Sequence, residues 1–382
     1  MERKAMKKKT MIMNPCCFSL AVGTALMLAA PGMLCADRIV TDMAGRKVVL
    51  PDEVKRVLPV GHCIPLSLAI GPEQTGVINR CGPDFDRFSP AVFREGKVGI
   101  GSALPEHLKD PSLPQSKGIQ PLDVERVQPD LLFMEGDAQR AERADELQKK
   151  YNIPVIVIDQ SMDKYQQAFA LLGQVFCQEE QAAKMYAYVQ KYLIPIREKT
   201  AAIPENERVT YYYAHGGQGL NTDPAGNNHV QPFDYIHAVN IFQNAFPLKT
   251  DEKANDTTIA EIARLNPKFI LLATMGAEQM STWKGMIADQ EWENVTAFKE
   301  GRVYQIPWLP FSWMDRPPGS NRILGTVWLA KLLYPEQFES LSLEKAVQEY
   351  FEVFFHKTLS DTEVKAVLSL SDLKKPNRPA LQ

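Results

Sequence analysis

Two Rossmann-like α/β lobes joined by a single long α-helix, with a ligand cleft between the lobes, is the fold class this sequence predicts, and three observations predict it. The first is a pattern used twice. Leu122-Asp123-Val124-Glu125-Arg126-Val127-Gln128-Pro129 lies over Ala260-Glu261-Ile262-Ala263-Arg264-Leu265-Asn266-Pro267 without a gap, and each copy runs into an apolar stretch, Leu131–Phe133 and Phe269–Leu271. Each copy reads as a short helix, a proline stop and a buried strand. The second is the alternation, along both halves, of short apolar runs with helical patterning or Gly/Pro loops, which argues for largely parallel sheets covered by helices. The third is the segment from Asp163 to about Lys199, which carries Tyr165, Phe169, Leu172, Phe176, Ala182, Tyr186, Val189 and Leu193 on one stripe. At about 1.5 Å per residue such a helix runs roughly 45–55 Å, enough to cross from one lobe to the other.

The elements follow in order. Residues 1–36 have the form of a secretory signal peptide: Arg3, Lys4, Lys7, Lys8 and Lys9, the apolar run Cys16–Ala30, then Pro31-Gly32. The run is too short and too weakly flanked for a membrane span, and cleavage is expected after Ala36. Cys35 is a poor lipidation site, because Leu34 stands where a small residue is wanted. Residues 37–160 form the N-terminal lobe: a hairpin over Ile39–Leu50 that turns at Ala44-Gly45-Arg46, then strands at Val54–Val60, Gly76–Asn79, Leu131–Met134 and Val155–Ile158. Residues 161–203 form the inter-lobe helix, which Pro195 should kink rather than end. Residues 204–370 form the C-terminal lobe, with strands at Val209–Tyr213, Phe269–Leu272 and Val303–Ile306 and closing helices over Gly319–Leu333 and Ser342–His356. Residues 371–382 are a frayed polar tail.

At 382 residues, 45% hydrophobic and 23% charged, the chain can bury one or two substantial cores. Loss of residues 1–36 removes five positive charges and one negative, which moves the formal charge from −3 to −7. An acidic chain is a poor nucleic-acid binder, so no nucleic-acid partner is expected. Three cysteines then remain. Cys63 and Cys81 are the pair that could bridge in an oxidising compartment, the alternative being buried free thiols, with Cys177 left over. No serine nucleophile elbow, zinc-protease helix or phosphate loop appears. An enzyme would have to rest on His215 with Glu135, so the chain reads as a binding module with no intrinsic cofactor.

Ligands of open α/β sheets collect outside the carboxyl ends of the strands. The loops there supply Gly61-His62-Cys63, Asn79-Arg80-Cys81 and Glu135-Gly136-Asp137 from the first lobe. The second supplies Tyr213 to Gln218, Asn227-Asn228-His229, Met275-Gly276 and Trp308 to Arg316. His62, His215 and His229 are scattered, without the spacing of an all-protein metal site. The role they suit is axial ligand to, or hydrogen bond with, a metal already held by a chelator, His229 above the others; the alternative is a loop histidine capping backbone groups. Trp308 and Trp313 beside Arg316 suit a flat or catechol-bearing ligand, through stacking and a bidentate grip on anionic oxygen. Arg80 has the same chemistry. Tyr211, Tyr212 and Tyr213 alternate across a strand, and Tyr213, nearest the loop, is the expected ligand contact. The opposing reading for Trp308 and Trp313 is that they anchor the loop to the core.

The opening DMAGRKVVLPDEVKRVLPVG, the two helix-Pro-strand repeats, the bridging helix and the run EGRVYQIPWLPFSWMDRPPGSNRILGTVWLAKLLYPEQF together resemble periplasmic substrate-binding proteins of ABC importers, over residues 37 to 368. The specific resemblance is to the class with a rigid inter-lobe helix that serves ferric siderophores, haem, corrinoids and related metal complexes. It implies a periplasmic, monomeric protein with a cleft between two lobes and modest closure, and an ABC permease and ATPase complex in the inner membrane as partner. The implied ligand is a small-molecule metal chelate, foremost an iron(III)-siderophore complex. Haem, a corrinoid, a nickel complex, an oxyanion such as molybdate, or directly bound Zn or Mn stay open, because cleft polarity rather than fold decides among them. The family pattern also implies an acid on the short helix of each lobe that docks on permease arginines. That acid is expected seven residues before the proline, where this chain has Leu122 and Ala260; its acids, Asp123 and Glu261, come one position later. The alternative for both is a favourable charge at a helix N-terminus. An exported form is expected to begin near Asp37, which an intact-mass measurement of the protein recovered from the periplasm checks.

Overall fold

Where both copies of the repeated pattern are described, they fold in the same way. In the first copy Val124 and Glu125 are helical, and Gln128, at φ 44°, donates its N–H to the Val124 carbonyl at 2.8 Å. In the second, the helix Ile259–Leu265 ends on Asn266, at φ 47°, whose N–H donates to the Ile262 carbonyl at 2.9 Å. A left-handed residue closes the last turn, and the proline after it has no N–H with which to continue a helix. The next residue starts the ladder in both copies: Asp130 N–H donates to the Arg56 carbonyl at 2.8 Å, and Lys268 N–H to the Thr210 carbonyl at 3.0 Å. The same local chemistry thus sets the register of two strands in two sheets.

The computed structural model describes residues 38–60, 64–70, 124–125, 128–243, 257–273, 277–315 and 319–371. Strands β1 (Arg38–Thr41) and β2 (Lys47–Leu50) form the antiparallel hairpin. Strands β3 (Val57–Val60), β4 (Leu131–Glu135) and β5 (Val155–Ile158) form a parallel sheet in the order β3-β4-β5. Strands β6 (Thr210–Ala214), β7 (Val239–Asn240), β8 (Phe269–Leu272) and β9 (Val303–Gln305) form a second, in the order β7-β6-β8-β9. Val57 pairs with Leu131 as Tyr211 pairs with Phe269. Strands β3-β4-β5 therefore correspond to β6-β8-β9. Leu131, Leu132 and Phe133 in β4 and all four residues of β5 are fully buried, as are Ile270, Leu271 and Leu272 in β8. Burial on both faces explains why these strands read as unbroken apolar runs. The strand expected at Gly76–Asn79 and the signal peptide expected over residues 1–36 lie outside the described residues.

The bridging segment differs from the sequence expectation. Instead of one helix from Asp163 to Lys199, the helix Tyr165–Phe176 ends on Cys177, at φ 52°, whose N–H donates to the Gly173 carbonyl. A second helical span begins at Glu179. Gly173 makes the fold-back possible: a Cβ there would come within 3.0 Å of the Ala182 Cβ and 3.1 Å of the Glu179 Cα. Glu179 and Glu180 then sit in the first turn of the new helix, where the dipole favours acids. Tyr165, Phe169 and Leu172 before the turn and Ala182, Val189 and Leu193 after it join one core cluster. Because both helices face that core, hydrophobic period alone runs through the turn. The second span continues to Ala201 through a π turn at Val189–Leu193, where Ile194 N–H donates to the Val189 carbonyl just ahead of Pro195. The proline bends the hydrogen-bond pattern without ending the helix, as expected.

The helix Leu343–Phe355 fastens this span to the first half. Gln181 Nε2 donates to the Ala69 carbonyl at 2.8 Å and to the Val353 carbonyl at 2.7 Å, and Tyr188 Oη donates to the Ala346 carbonyl at 2.9 Å. Tyr350 stacks on Phe354 at 4.6 Å. The helix Asn321–Leu333 is buried along nearly its whole length, and Gly325 is its point of closest approach. A Cβ there would overlap the Trp313 carbonyl oxygen. Gly325→Val is therefore expected to destabilise the fold by about 1–3 kcal/mol through overpacking, read as a lower denaturant midpoint. With the bridging span clamped along its length, closure on ligand is expected to be small: scattering profiles with and without ligand should nearly superimpose, and a large fall in radius would reveal a hinge.

Candidate functional site

The carboxyl end of β6 leads into His215. The chain returns at once, because His215 and Asn221 exchange backbone hydrogen bonds at 2.9 and 3.1 Å. Gly216 must be glycine in this turn: it sits at φ 76°, and a Cβ would collide with the Asn221 side chain. The return puts Asp223 behind the imidazole, with Oδ2 3.3 Å from His215 Nε2.

His229 is presented in a parallel manner. Asn227 Oδ1 accepts the His229 N–H at 2.9 Å and starts a 3-10 turn over Asn228–Val230, and the helix Gln231–Tyr235 follows with Pro232 in its first turn. His229 Nδ1 lies 3.0 Å from Asp315 Oδ2; the imidazole is 35% exposed and the aspartate 1%. Asp315 is delivered by the loop after β9, which Trp313 pins by donating its indole N–H to the Leu309 carbonyl at 2.9 Å. Asn321 adds a side-chain bond to the Ser312 carbonyl. Each histidine thus sets one ring nitrogen close to a buried carboxylate.

Arg322 lies beneath this surface, 1% exposed. Its Nη1 donates to Gln231 Oε1 at 2.9 Å and its Nη2 to Asn228 Oδ1 at 3.0 Å, on either side of His229. Burial works against its charge, while Tyr165, Glu135, Asp315 and Tyr213 work in favour of it. Glu135 ends β4 and Tyr165 opens the helix after β5, so groups from the carboxyl ends of both sheets converge on one guanidinium. Tyr165 Oη also donates to the Gly319 carbonyl at 3.0 Å, a further link between the halves.

Of the sequence-derived candidates, His215 is brought to Asp223, and His229 to Asp315 within the turn that Arg322 holds. Trp313 is a correction. It is 1% exposed, inside the core, because the loop uses its ring and N–H as an anchor. Tyr213 is likewise a correction: it is fully buried, its ring 5.6 Å from Phe233 and 6.0 Å from His215. Trp308 is partly buried against the same core. His62, Arg80, Asp123 and Arg316 lie outside the described residues, as do Cys63 and Cys81. Glu261 is the third residue of its helix, where its N–H bonds the Thr258 hydroxyl. Its carboxylate accepts from Thr257 at 3.2 Å, and its side chain is 40% exposed.

Sequence reasoning passed over Arg322, Asp315, Asp223 and Tyr165. A signal for Arg322 was available, since it is the charge at the head of the apolar run Ile323–Ala330. A charge in such a helix is buried only with partners. The pairing of each histidine with its aspartate had no signal, as 8 and 86 residues separate the partners.

Among known proteins, molybdate-binding protein MolA of Haemophilus influenzae is 24% identical over 351 residues, covering 84% of this chain and 91% of that one. Its molybdate-bound structure superposes with a TM-score of 0.63 at 21% identity, over 85% of this chain and 99% of that one. An ABC transporter solute-binding protein of Sulfurospirillum deleyianum reaches a TM-score of 0.72 at 24% identity, over 87% of this chain and 99% of the other. Helicobacter pylori CeuE, solved as a Ni-His complex, reaches 0.61 at 18% identity, over 87% and 99%. These likenesses carry the two-lobed α/β fold. No helix among the described residues is long and apolar enough to cross a membrane. The family described as "Periplasmic binding protein" matches residues 100–308, more than half of the sequence. With that match, the doubled sheet topology and the polar convergence at the strand ends, the chain belongs to the periplasmic binding protein family, whose members bind ligands for ABC importers and are not enzymes.

Proposed function

We propose that the protein is exported by its N-terminal signal and captures a compact metal complex, the metal already held by a chelator. His229 completes the coordination, and the loaded protein delivers the complex to an ABC permease. The observation that carries this reading is the His229–Asp315 pair, at 3.0 Å. A hydrogen bond from Nδ1 to that carboxylate would fix ring orientation and tautomer and leave Nε2 as a basic ligand. An iron(III)-siderophore remains the foremost class implied by the sequence resemblance, and the Ni-His complex of CeuE offers a second compact complex. A macrocycle such as haem or a corrinoid is less well served, because Trp313 and Tyr213 are spent in the core and offer no stacking platform.

The likeness to MolA favours a second reading, in which the site holds an oxyanion such as molybdate. There the imidazole N–H of His229 would donate to anionic oxygen instead of its lone pair binding metal. Equilibrium titration with a ferric catecholate siderophore, Ni(II)-histidine, haem, molybdate, free Zn(II) and free Mn(II) separates these cases. A metal complex should bind, and His229→Ala should weaken it at least tenfold, about 1.4 kcal/mol. Tight binding of molybdate or a bare metal ion, with the complexes ignored, overturns the metal-complex reading.

Glu261, whose side chain is 40% exposed, is proposed together with Asp123 as the permease-docking pair, since surface acids steer and register a partner. Asp123→Arg with Glu261→Arg is expected to abolish permease-dependent uptake while leaving ligand affinity nearly intact. Survival of uptake would assign docking to other acids.

A further inference from the structure

We infer that Arg322 is the positioning residue of the ligand site: from inside the helix Asn321–Leu333 it staples the turn that presents His229. The inference rests on the proposed role of His229 for its functional meaning, and on geometry for the staple itself.

The His229 turn is short and has little structure of its own, a 3-10 turn of three residues between an Asn cap and a five-residue helix. Such a turn is held weakly by its backbone alone. Arg322 grips it on both sides of the histidine, Nη2 on Asn228 Oδ1 at 3.0 Å and Nη1 on Gln231 Oε1 at 2.9 Å. The planar fork of a guanidinium can hold two acceptors at fixed separation, which an ammonium cannot. Asn228 is exposed and Gln231 half-buried, so without the fork both side chains would turn to water and the turn would be free to rock. Asp315 stands 3.0 Å from the ring nitrogen, and Arg322 holds the turn that carries the ring. Glu135 and Tyr165 act electrostatically on the same guanidinium from the first half.

The staple is tested in the ligand-free mature protein by nitrogen-resolved NMR of the His229 ring, and in parallel by titration with Ni(II)-histidine. Asn228→Ala/Gln231→Ala, which leaves the buried arginine in place, should broaden or average the ordered His229 ring signal and weaken Ni(II)-histidine at least tenfold. Gln231→Glu keeps an acceptor for the fork and should restore the ring signal of wild type. Arg322→Met should reproduce the double variant, and in that background Gln231→Ala should add nothing. If Arg322→Met does not fold, the acceptor variants decide alone. An unchanged His229 ring signal in the folded double variant overturns the staple. If wild type ignores Ni(II)-histidine while the ring signal responds as described, the staple stands and the nickel member of the ligand class falls.

Discussion

A guanidinium sealed from water has to be met by acceptors, and that requirement organises the site end of this protein. Arg322 carries its charge at 1% exposure, and the loss of hydration would be prohibitive without hydrogen bonds and opposite charge around it. Asn228 and Gln231 supply the bonds; Asp315 and Glu135 supply the charge. These come from three parts of the chain, so satisfying one buried group draws the loop after β9, the turn after β6 and the end of β4 toward one place. The helix that carries Arg322 is in turn fixed by its contact with the Trp313 backbone at Gly325. Site and core are therefore built from the same loop: Trp313 faces inward to hold it, and Asp315, two residues on, turns to His229.

The doubled architecture gives this convergence its frame. Two parallel sheets direct the ends of their strands to loops, and the proline stops at Pro129 and Pro267 set the register of the central strand in each. The bridging span and the helix Leu343–Phe355 share an aromatic seam of Tyr188, Tyr192, Tyr350 and Phe354. Stacked and edge-on rings of this kind add to what their burial alone contributes. The polar groups at the strand ends are mounted on this frame.

Much of the fold was legible because its signals are local. The twin pattern around Asp123 and Glu261 announced the two lobes, and the unbroken apolar runs announced strands buried on both faces. The helix break at Cys177 was not legible, because the stripe from Tyr165 to Leu193 serves one core on both sides of the turn. The site was legible only in part. His215 and His229 were marked by residue type and by their place after strands, whereas their aspartates are chosen by tertiary return of the chain. Aromatic residues misled for a physical reason: Trp313 and Tyr213 bear polar tips, which suggests a ligand, yet a buried loop needs anchors of the same chemistry.

The π turn at Val189–Leu193 has a consequence for how such a protein could diverge. One residue more than an α-turn requires is accommodated there, with Ile194 reaching back five positions to Val189. A single residue corresponds to about 100° of rotation around a helix axis. Had the surplus not been absorbed as a local bulge, everything beyond Pro195 would be out of phase with everything before it, and the two halves would meet on the wrong faces. The bulge therefore works as a phase corrector, letting the spacer change length by one residue while the alignment of the two sheets is preserved.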